Sequence, residues 1–261
     1  MVATASGSPA TDAVKAMNDI RVFLRFGALA GLAGGGAAAL FQLLVTEGQI
    51  ERALALEAAK ATEPVDEMFS RGTQIVGGAV AAVVLGLLLG VVFAVVAAAL
   101  WPRLPGRSVF GRAGGLAAAA FVGWTLIPAL KYPPNPPGVG NADTVGQRTG
   151  AYVALLVVGL ILLYLALELW QQLTARGLVG ASRFAVVAFG FLAVVAVLYL
   201  VFPANPDPVD VPANLIWHFR LDSLASNALL WLVVGTAFGY LGDRRTRAEQ
   251  AAPSSTDPLR R

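Results

Sequence analysis

The sequence contains no cysteine, a single histidine and few charged residues. Without cysteine the chain forms no disulfide and no thiolate metal site. Any bound metal ion would therefore be held mainly by carboxylate, carbonyl and water oxygens. The sequence motifs of nucleotide-binding Walker loops, zinc proteases and serine hydrolases are also missing, and one imidazole is little for acid–base catalysis. These absences argue against an enzyme.

Apolar residues are what the sequence has in abundance. They make up 57% of the chain, charged residues make up 13%, and the mean hydropathy is +0.68. A soluble domain carries about 25% charged residues. The composition therefore predicts an integral membrane protein whose main partner is the lipid bilayer. A homo-oligomer is left open, and a nucleic-acid partner is not expected.

Six apolar stretches are long enough to cross a bilayer, which takes about 20 helical residues. We predict an all-α polytopic protein with spans at residues 22–45, 75–100, 113–130, 151–170, 184–201 and 219–241. Residues 22–242 then form the transmembrane domain, between an N-terminal tail at 1–21 and a disordered tail at 243–261. Pro128 predicts a kink or an early stop in the third span.

The distribution of basic residues predicts the orientation of these spans. Of the 19 lysines and arginines, 13 fall in the two tails, in the first turn of the first span and in the second-to-third and fourth-to-fifth connections. The positive-inside rule then places both termini in the cytoplasm. We therefore expect a multi-pass protein of the bacterial inner membrane. Its three connections rich in proline or acidic residues would face the exterior.

Two of these exterior connections share the pattern aromatic-Pro-x-Asn-Pro, at residues 132–136 and 202–206. An arginine follows the asparagine of each motif thirteen or fifteen residues later, as Arg148 and Arg220 at the start of the next span. The first pair of spans keeps only the arginine, as Arg71. We interpret the chain as three two-helix hairpins repeated in parallel.

Polar side chains gather at the predicted outer ends of the spans. His218 and Asp222 lie four residues apart, which places them on one face of a helix, and Glu47 and Glu51 form a second such pair. We predict these four residues as metal ligands. The predicted vestibule or gating residues are Arg71, Arg148, Arg220, Asn135 and Asn205. In such an outward-facing polar vestibule the acids attract cations and the arginines balance or gate them, with no permanently bound cofactor.

Each of these features also has a purely structural interpretation. His218 can be an interfacial histidine and Asp222 a helix N-cap. Glu47 and Glu51 can belong to a solvated extension of the first span. The three arginines can be structural ion-pair partners of Asp222, Glu47 or Asp66. The two asparagine motifs can be ordinary turns.

Several motifs together resemble the CbtA family of cobalt transporter subunits. They are a Gly-rich first span, an acidic segment after it, Arg71 with Gln74 and Gly77-Gly78 opening the second span, Pro128 followed by Tyr132-Pro-Pro-Asn-Pro-Pro-Gly138, and a closing Pro-rich loop. The similarity covers roughly residues 23–243. The resemblance implies cobalt uptake linked to cobalamin synthesis, beside a small single-span partner, CbtB, with a His-rich tail.

One departure from the family pattern concerns metal binding. Many relatives have a His-rich exterior segment, whereas residues 51–67 here contain acids and no histidine. Oxygen ligands alone bind Co²⁺ weakly and discriminate poorly against Mg²⁺. We still expect a subunit that passes a divalent cation, cobalt, inward through the vestibule. The alternative is a non-transporting structural or assembly subunit that docks a partner through its exterior loops.

Overall fold

The computed structural model describes residues 19–60, 69–205, 207 and 209–251. This part of the chain forms six long helices and no strand. They are α1 (Ile20–Lys60), α2 (Arg71–Arg103), α3 (Val109–Lys131), α4 (Val145–Ala175), α5 (Gly180–Val201) and α6 (Ala213–Ala251). Each helix is long and apolar enough to cross a membrane, and each contains one predicted span. The prediction of an all-α polytopic protein with six spanning helices is confirmed.

Glycines allow α1 and α2 to pack with their backbones almost in contact. A Cβ atom on Gly35 would lie 2.8 Å from the carbonyl oxygen of Ala82 and 2.9 Å from Cα of Val83. Gly31 and Gly90 are crowded by the facing backbone in the same way. Such close approach is the reason that small residues recur every four positions at membrane helix interfaces. The two helices therefore form a rigid pair.

Helix α6 lies in the middle of the bundle, between α1 and α3. A Cβ atom on Gly239 would lie 2.8 Å from Cα of Phe110 on α3, and Val234 and Phe238 are fully buried. Helix α4 packs on α3, and α5 packs on α4 without burying any of its own residues. The third predicted hairpin, α5 with α6, is therefore not the packing observed, since α1 and α3 occupy the faces of α6.

The two ends of the bundle differ in the polarity of the residues that lie between the helices. The arginine-rich end, with segments 104–108 and 176–179, holds an aromatic core. There Phe23 packs edge-on against Trp101 and Phe93 against Phe238, each with ring centroids 5.3 Å apart. The proline-rich end, with segments 132–141 and 202–205, contains the polar cavity described below. The polar cavity thus lies at one end of the bundle and the aromatic core toward the other.

Helix α6 is longer than the sequence predicted. It continues to Ala251, so residues 243–251, predicted as part of a disordered tail, are helical. This segment contains neither proline nor glycine, and Arg245 pairs with Glu249 one turn later at 2.8 Å. Both features favour a helix. The rest of the predicted tails, residues 1–18 and 252–261, lies outside the described residues.

Helices α1 and α3 each contain a π-helical turn, at Gln42–Thr46 and Phe121–Leu126. Such a turn bonds each residue to the fifth along, which inserts one extra residue into the helix, and it often marks a functional site. In α3 it lies just before Pro128, which has no N–H to donate to the preceding turn. The helix then continues through Pro128 and ends at Lys131.

Candidate functional site

A polar cavity of about 590 Å³ lies among α3, α4 and α6 at the proline-rich end. Its size is in the range of small-molecule sites, roughly 300–1,000 Å³. Hydroxyl, amide and guanidinium groups supply its polar lining, and no described carboxylate or imidazole lines it. The lining includes Thr125, Asn135, Arg148, Tyr152, Asn205 and Asn227. The cavity therefore offers many hydrogen-bond donors and little negative charge.

The π-helical turn of α3 places Thr125 in the lining of this cavity. Thr125 is 4% exposed, and its Oγ1 has no hydrogen-bond partner. A threonine within a regular helix commonly satisfies its hydroxyl on the carbonyl four residues earlier. A buried hydroxyl without a partner costs about 1–3 kcal/mol. Thr125 Oγ1 is therefore a group that a ligand or water in the cavity would satisfy.

The neighbouring Trp124 separates the polar cavity from a second hollow. It lines both the polar cavity and an apolar cleft of about 550 Å³ between α2, α3, α4 and α6. This cleft extends toward the arginine-rich end, past Phe93 and Trp231. Trp124 is thus shared by the linings of a polar and an apolar space.

The two aromatic-Pro-x-Asn segments lie side by side and form one wall of the cavity. The Tyr132 hydroxyl donates to the Pro203 carbonyl at 2.7 Å, and Lys131 Nζ donates to the Tyr199 carbonyl at 2.9 Å. Asn135 and Asn205 both line the cavity. Burial raises the pKa of the Tyr132 hydroxyl above its ordinary value, so it remains a neutral donor near neutral pH.

Arg148 is held in place by a buried carboxylate. Its guanidinium lies 3.0 Å from a carboxylate oxygen of Asp207, whose side chain is 1% exposed. The Thr144 hydroxyl and the Asn141 backbone N–H also donate to Asp207, at 2.7 and 3.2 Å. These two hydrogen bonds, Thr144 first, and then the charge of Arg148 lower the pKa of Asp207. The ion pair ties the segment after α5 to the start of α4.

Arg220 lies beside the cavity without such a partner. Its guanidinium donates to Asn135 Oδ1 at 2.9 Å, and its Nε is buried without a hydrogen bond. Among the described residues no carboxylate forms an ion pair with it. A partly buried positive charge is costly unless something pairs with it. Arg220 therefore contributes an uncompensated charge to the rim of the cavity.

A family model described as "Probable cobalt transporter subunit (CbtA)" matches residues 20–243, which include the whole bundle up to Asp243 in α6. The chain belongs to the CbtA family. The resemblance read from the sequence is thereby confirmed. No curated protein and no solved structure matches the chain. The cavity of this CbtA family member is therefore interpreted from its own residues.

The structure of this CbtA family member does not collect the four predicted metal ligands into one group. No three aspartate, glutamate or histidine side chains in the described ranges lie together in a metal-binding arrangement. Glu47 accepts a hydrogen bond from Arg71, Glu51 and His218 are exposed, and Asp222 is partly buried. Their role as ligands stays a prediction.

The predicted vestibule residues fall into two sets. Asn135, Asn205 and Arg148 line the cavity, and Arg220 reaches it through Asn135. Arg71 instead joins the start of α2 to α1 through its pair with Glu47. Four of the five residues thus lie at one site, while their action as a gate stays a prediction.

Asp207 and Thr125 belong to the site but were not among the residues predicted from the sequence. Asp207 follows Asn205 by two residues, and its N–H donates to Asn205 Oδ1 at 3.2 Å. Asn141 makes the same local bond to the N–H of Asp143 at 3.0 Å. The shared Asn-x-Asp spacing, typical of turns closed by an asparagine side chain, was the available signal. Thr125 had none, because the π-helical turn that positions it has no sequence motif.

Proposed function

We propose that the protein is a cobalt transporter subunit of the bacterial inner membrane, and that cobalt moves inward through the polar cavity. The observation that carries this proposal is a cavity rich in polar groups inside a bundle of membrane-spanning helices. Polar groups on membrane-spanning helices, such as Thr125 and Asn227 in this lining, are costly, and they usually serve a solute or ion pathway. Membership of a family described as cobalt transporter subunits supports cobalt as the transported metal.

The distribution of charge supports the direction of movement. With 13 of 19 basic residues at the cytoplasmic side, the proline-rich end and its cavity face the exterior. A buried aromatic core lies toward the other end, and we assign to it the closure of the path to the cytoplasm. Inward movement would then require α3, with its π-helical turn and Trp124, to rearrange against that core. Alternating closure of two ends around one site is the usual scheme of secondary transporters.

Cation capture at the mouth is assigned to the four predicted ligands, Glu47, Glu51, His218 and Asp222. Because they form no group of three with each other or with other described acids, cobalt would meet one or two of them at a time and keep water in its coordination shell. An inside-negative membrane potential contributes about 2.3 kcal/mol per charge per 100 mV to entry of a cation. The word "subunit" in the family description implies a partner, and a single-span CbtB-like protein is our candidate.

Cobalt uptake into proteoliposomes tests this function. Vesicles that contain the full chain and an inside-negative potential should take up cobalt faster than empty vesicles. Asn135→Ala and Asn205→Ala should lower the initial rate, because both side chains line the cavity. Asn214→Ala is the matched control, since Asn214 is exposed and its side chain bonds only the next backbone N–H.

The predicted ligands have their own test in the same assay. Loss of uptake in Asp222→Asn or His218→Ala, at normal protein levels, would support metal capture by these side chains. Unchanged uptake in both variants would remove them from the path and leave the cavity. If cobalt does not move with the chain alone or with its partner, an assembly subunit that docks a partner becomes the better assignment.

A further inference from the structure

We propose that the polar cavity accepts cobalt as an anionic chelate, in which a small polycarboxylate already surrounds the metal, rather than as a free hydrated cation. This inference rests on the function proposed above, because it names the form in which cobalt occupies the same cavity. It is carried by the charge of the lining, by its unsatisfied donors and by its volume.

The charge at the cavity is positive. Arg148 lines it, Arg220 is bonded to the lining residue Asn135, and one carboxylate, Asp207, balances Arg148 alone. A free divalent cation that enters the cavity would approach the uncompensated guanidinium of Arg220, and like charges repel each other. A carboxylate-bearing chelate would instead form the charge-assisted, often bidentate hydrogen bonds that guanidinium groups favour.

The polar groups of the lining are suited to bind carboxylate oxygens rather than metal. Imidazole, carboxylate and thiolate are the strong protein ligands of Co²⁺, and none of these is found in the described lining, whose asparagine amide oxygens are weak ligands for it. The lining offers donors, including the Thr125 hydroxyl, which is buried without a partner, and the Tyr152 hydroxyl. Each of these groups can donate to an oxygen of a chelating ligand. The coordination bonds to cobalt would then come from the chelator.

The volume of the cavity is larger than a hydrated ion needs. Six first-shell waters occupy roughly 180 Å³ at about 30 Å³ each. The cavity measures about 590 Å³, which leaves room for a metal with an organic ligand around it. Arg148 is fixed by Asp207, whereas Arg220 is held only by a neutral amide. Arg220 is therefore the residue assigned to contact the anion.

Binding to the detergent-purified full chain gives the first test, with calorimetry in a non-coordinating buffer. A preformed cobalt–citrate complex should bind saturably, and cobalt chloride alone should not. Arg220→Gln should weaken binding of the complex about tenfold or more, because a charged hydrogen bond is lost. Arg220→Lys should recover part of it. Arg52→Gln is the control, since Arg52 is exposed and bonds only Gln49 on its own helix.

Asn135→Asp separates the two forms of cobalt by the sign of the effect. The substitution keeps the size of the side chain but gives Arg220 a carboxylate partner at the position of Asn135 Oδ1. If the cavity takes an anionic chelate, the variant should bind cobalt–citrate more weakly. If it takes the free cation, the added negative charge should strengthen binding of cobalt chloride. This readout does not need Arg220 to be changed.

Three results would overturn the inference. The first is tighter binding of cobalt chloride than of the complex. The second is binding of the complex by both Arg220→Gln and Asn135→Asp that is as tight as binding by wild type. The third is binding of metal-free citrate that is as tight as binding of the complex. Uptake into proteoliposomes then separates this inference from the proposed function, with no membrane potential imposed, because an inside-negative potential opposes the entry of an anion. Uptake of free cobalt without uptake of the complex would overturn the chelate alone. Uptake of neither form would overturn both.

Discussion

The close contact between α1 and α2 makes a sharp prediction about two adjacent glycines of α1. A Cβ atom on Gly35 would meet three backbone atoms of α2 at 2.8 to 2.9 Å, whereas a Cβ atom on Gly36 has nothing within 4 Å. Ordinary carbon contacts begin at about 3.5 Å. Gly35→Ala should therefore push the two helices apart by about 0.6 Å, while Gly36→Ala should leave them in place.

The expected cost follows from this geometry. Both substitutions gain about 0.5–1 kcal/mol from the better helix propensity of alanine, and this gain cancels in the comparison. Forcing extra volume into a packed interface costs about 1–3 kcal/mol. Gly35→Ala should therefore be less stable than Gly36→Ala by about 1–3 kcal/mol. For chains of about this size each kcal/mol lowers the melting temperature by about 2–4 °C.

Thermal melting of the purified protein in detergent measures this difference. Intrinsic fluorescence is a suitable probe, because Trp101 and Trp231 are buried in the core that α2 and α6 share. Gly36→Ala should melt about 1–4 °C above wild type, and Gly35→Ala should melt clearly below Gly36→Ala. If the two alanine variants melt at the same temperature, α1 and α2 are not in backbone contact at Gly35. The tight pair described above would then be wrong.

Three further predictions concern the polar residues. Glu47→Gln and Arg71→Gln should each lower the melting temperature, because each leaves a partly buried charge unpaired, and the exchange of both residues (Glu47→Arg with Arg71→Glu) should recover most of the loss. The pKa of Asp207 in the folded protein is lowered from its ordinary value of 3.8. The stability that its carboxylate contributes is therefore complete above pH 3.8 and is lost as the pH falls through the lowered pKa. The difference in melting temperature between wild type and Asp207→Asn should thus stay constant from about pH 7 to 5 and shrink below about pH 4; a constant difference down to pH 3 would contradict the assigned network. Thr125→Val should melt at or above the wild-type temperature, since it removes an unpartnered hydroxyl, yet take up cobalt more slowly, and unchanged uptake would exclude contact with the substrate.

The number and approximate positions of the helices could be predicted from the sequence because few backbone structures are stable within a lipid bilayer. A backbone in hydrocarbon must satisfy its own hydrogen bonds, so each long apolar stretch becomes a helix. The polar motifs at 132–136 and 202–206 could also be located, and Asn135 and Asn205 do line one cavity. Proline and asparagine there break an otherwise apolar pattern, which makes such a segment visible.

The packing of the helices could not be predicted in the same way. Spanning helices are apolar on all sides, so their sequences give no polar face to show which side meets which neighbour. The place of α6 between α1 and α3 depends on small residues such as Gly235 and Ala117, which are common throughout this chain. The partner of Arg148 was equally hidden, because Asp207 lies 59 positions away and shares only the Asn-x-Asp spacing with the loop that it joins.

The irregular turn of α3 has a consequence for how the protein tolerates changes in length. One additional residue rotates everything after it by about 100° about the helix axis. The orientation of the wall that carries Tyr132 and Asn135 is thus set by a count of amino acids within Phe121–Leu126. Deleting one of these residues would make α3 a more regular helix. It would also turn Tyr132 away from Pro203 and Asn135 away from Arg220. In this helix the irregular spacing is what keeps two distant parts of the chain in alignment.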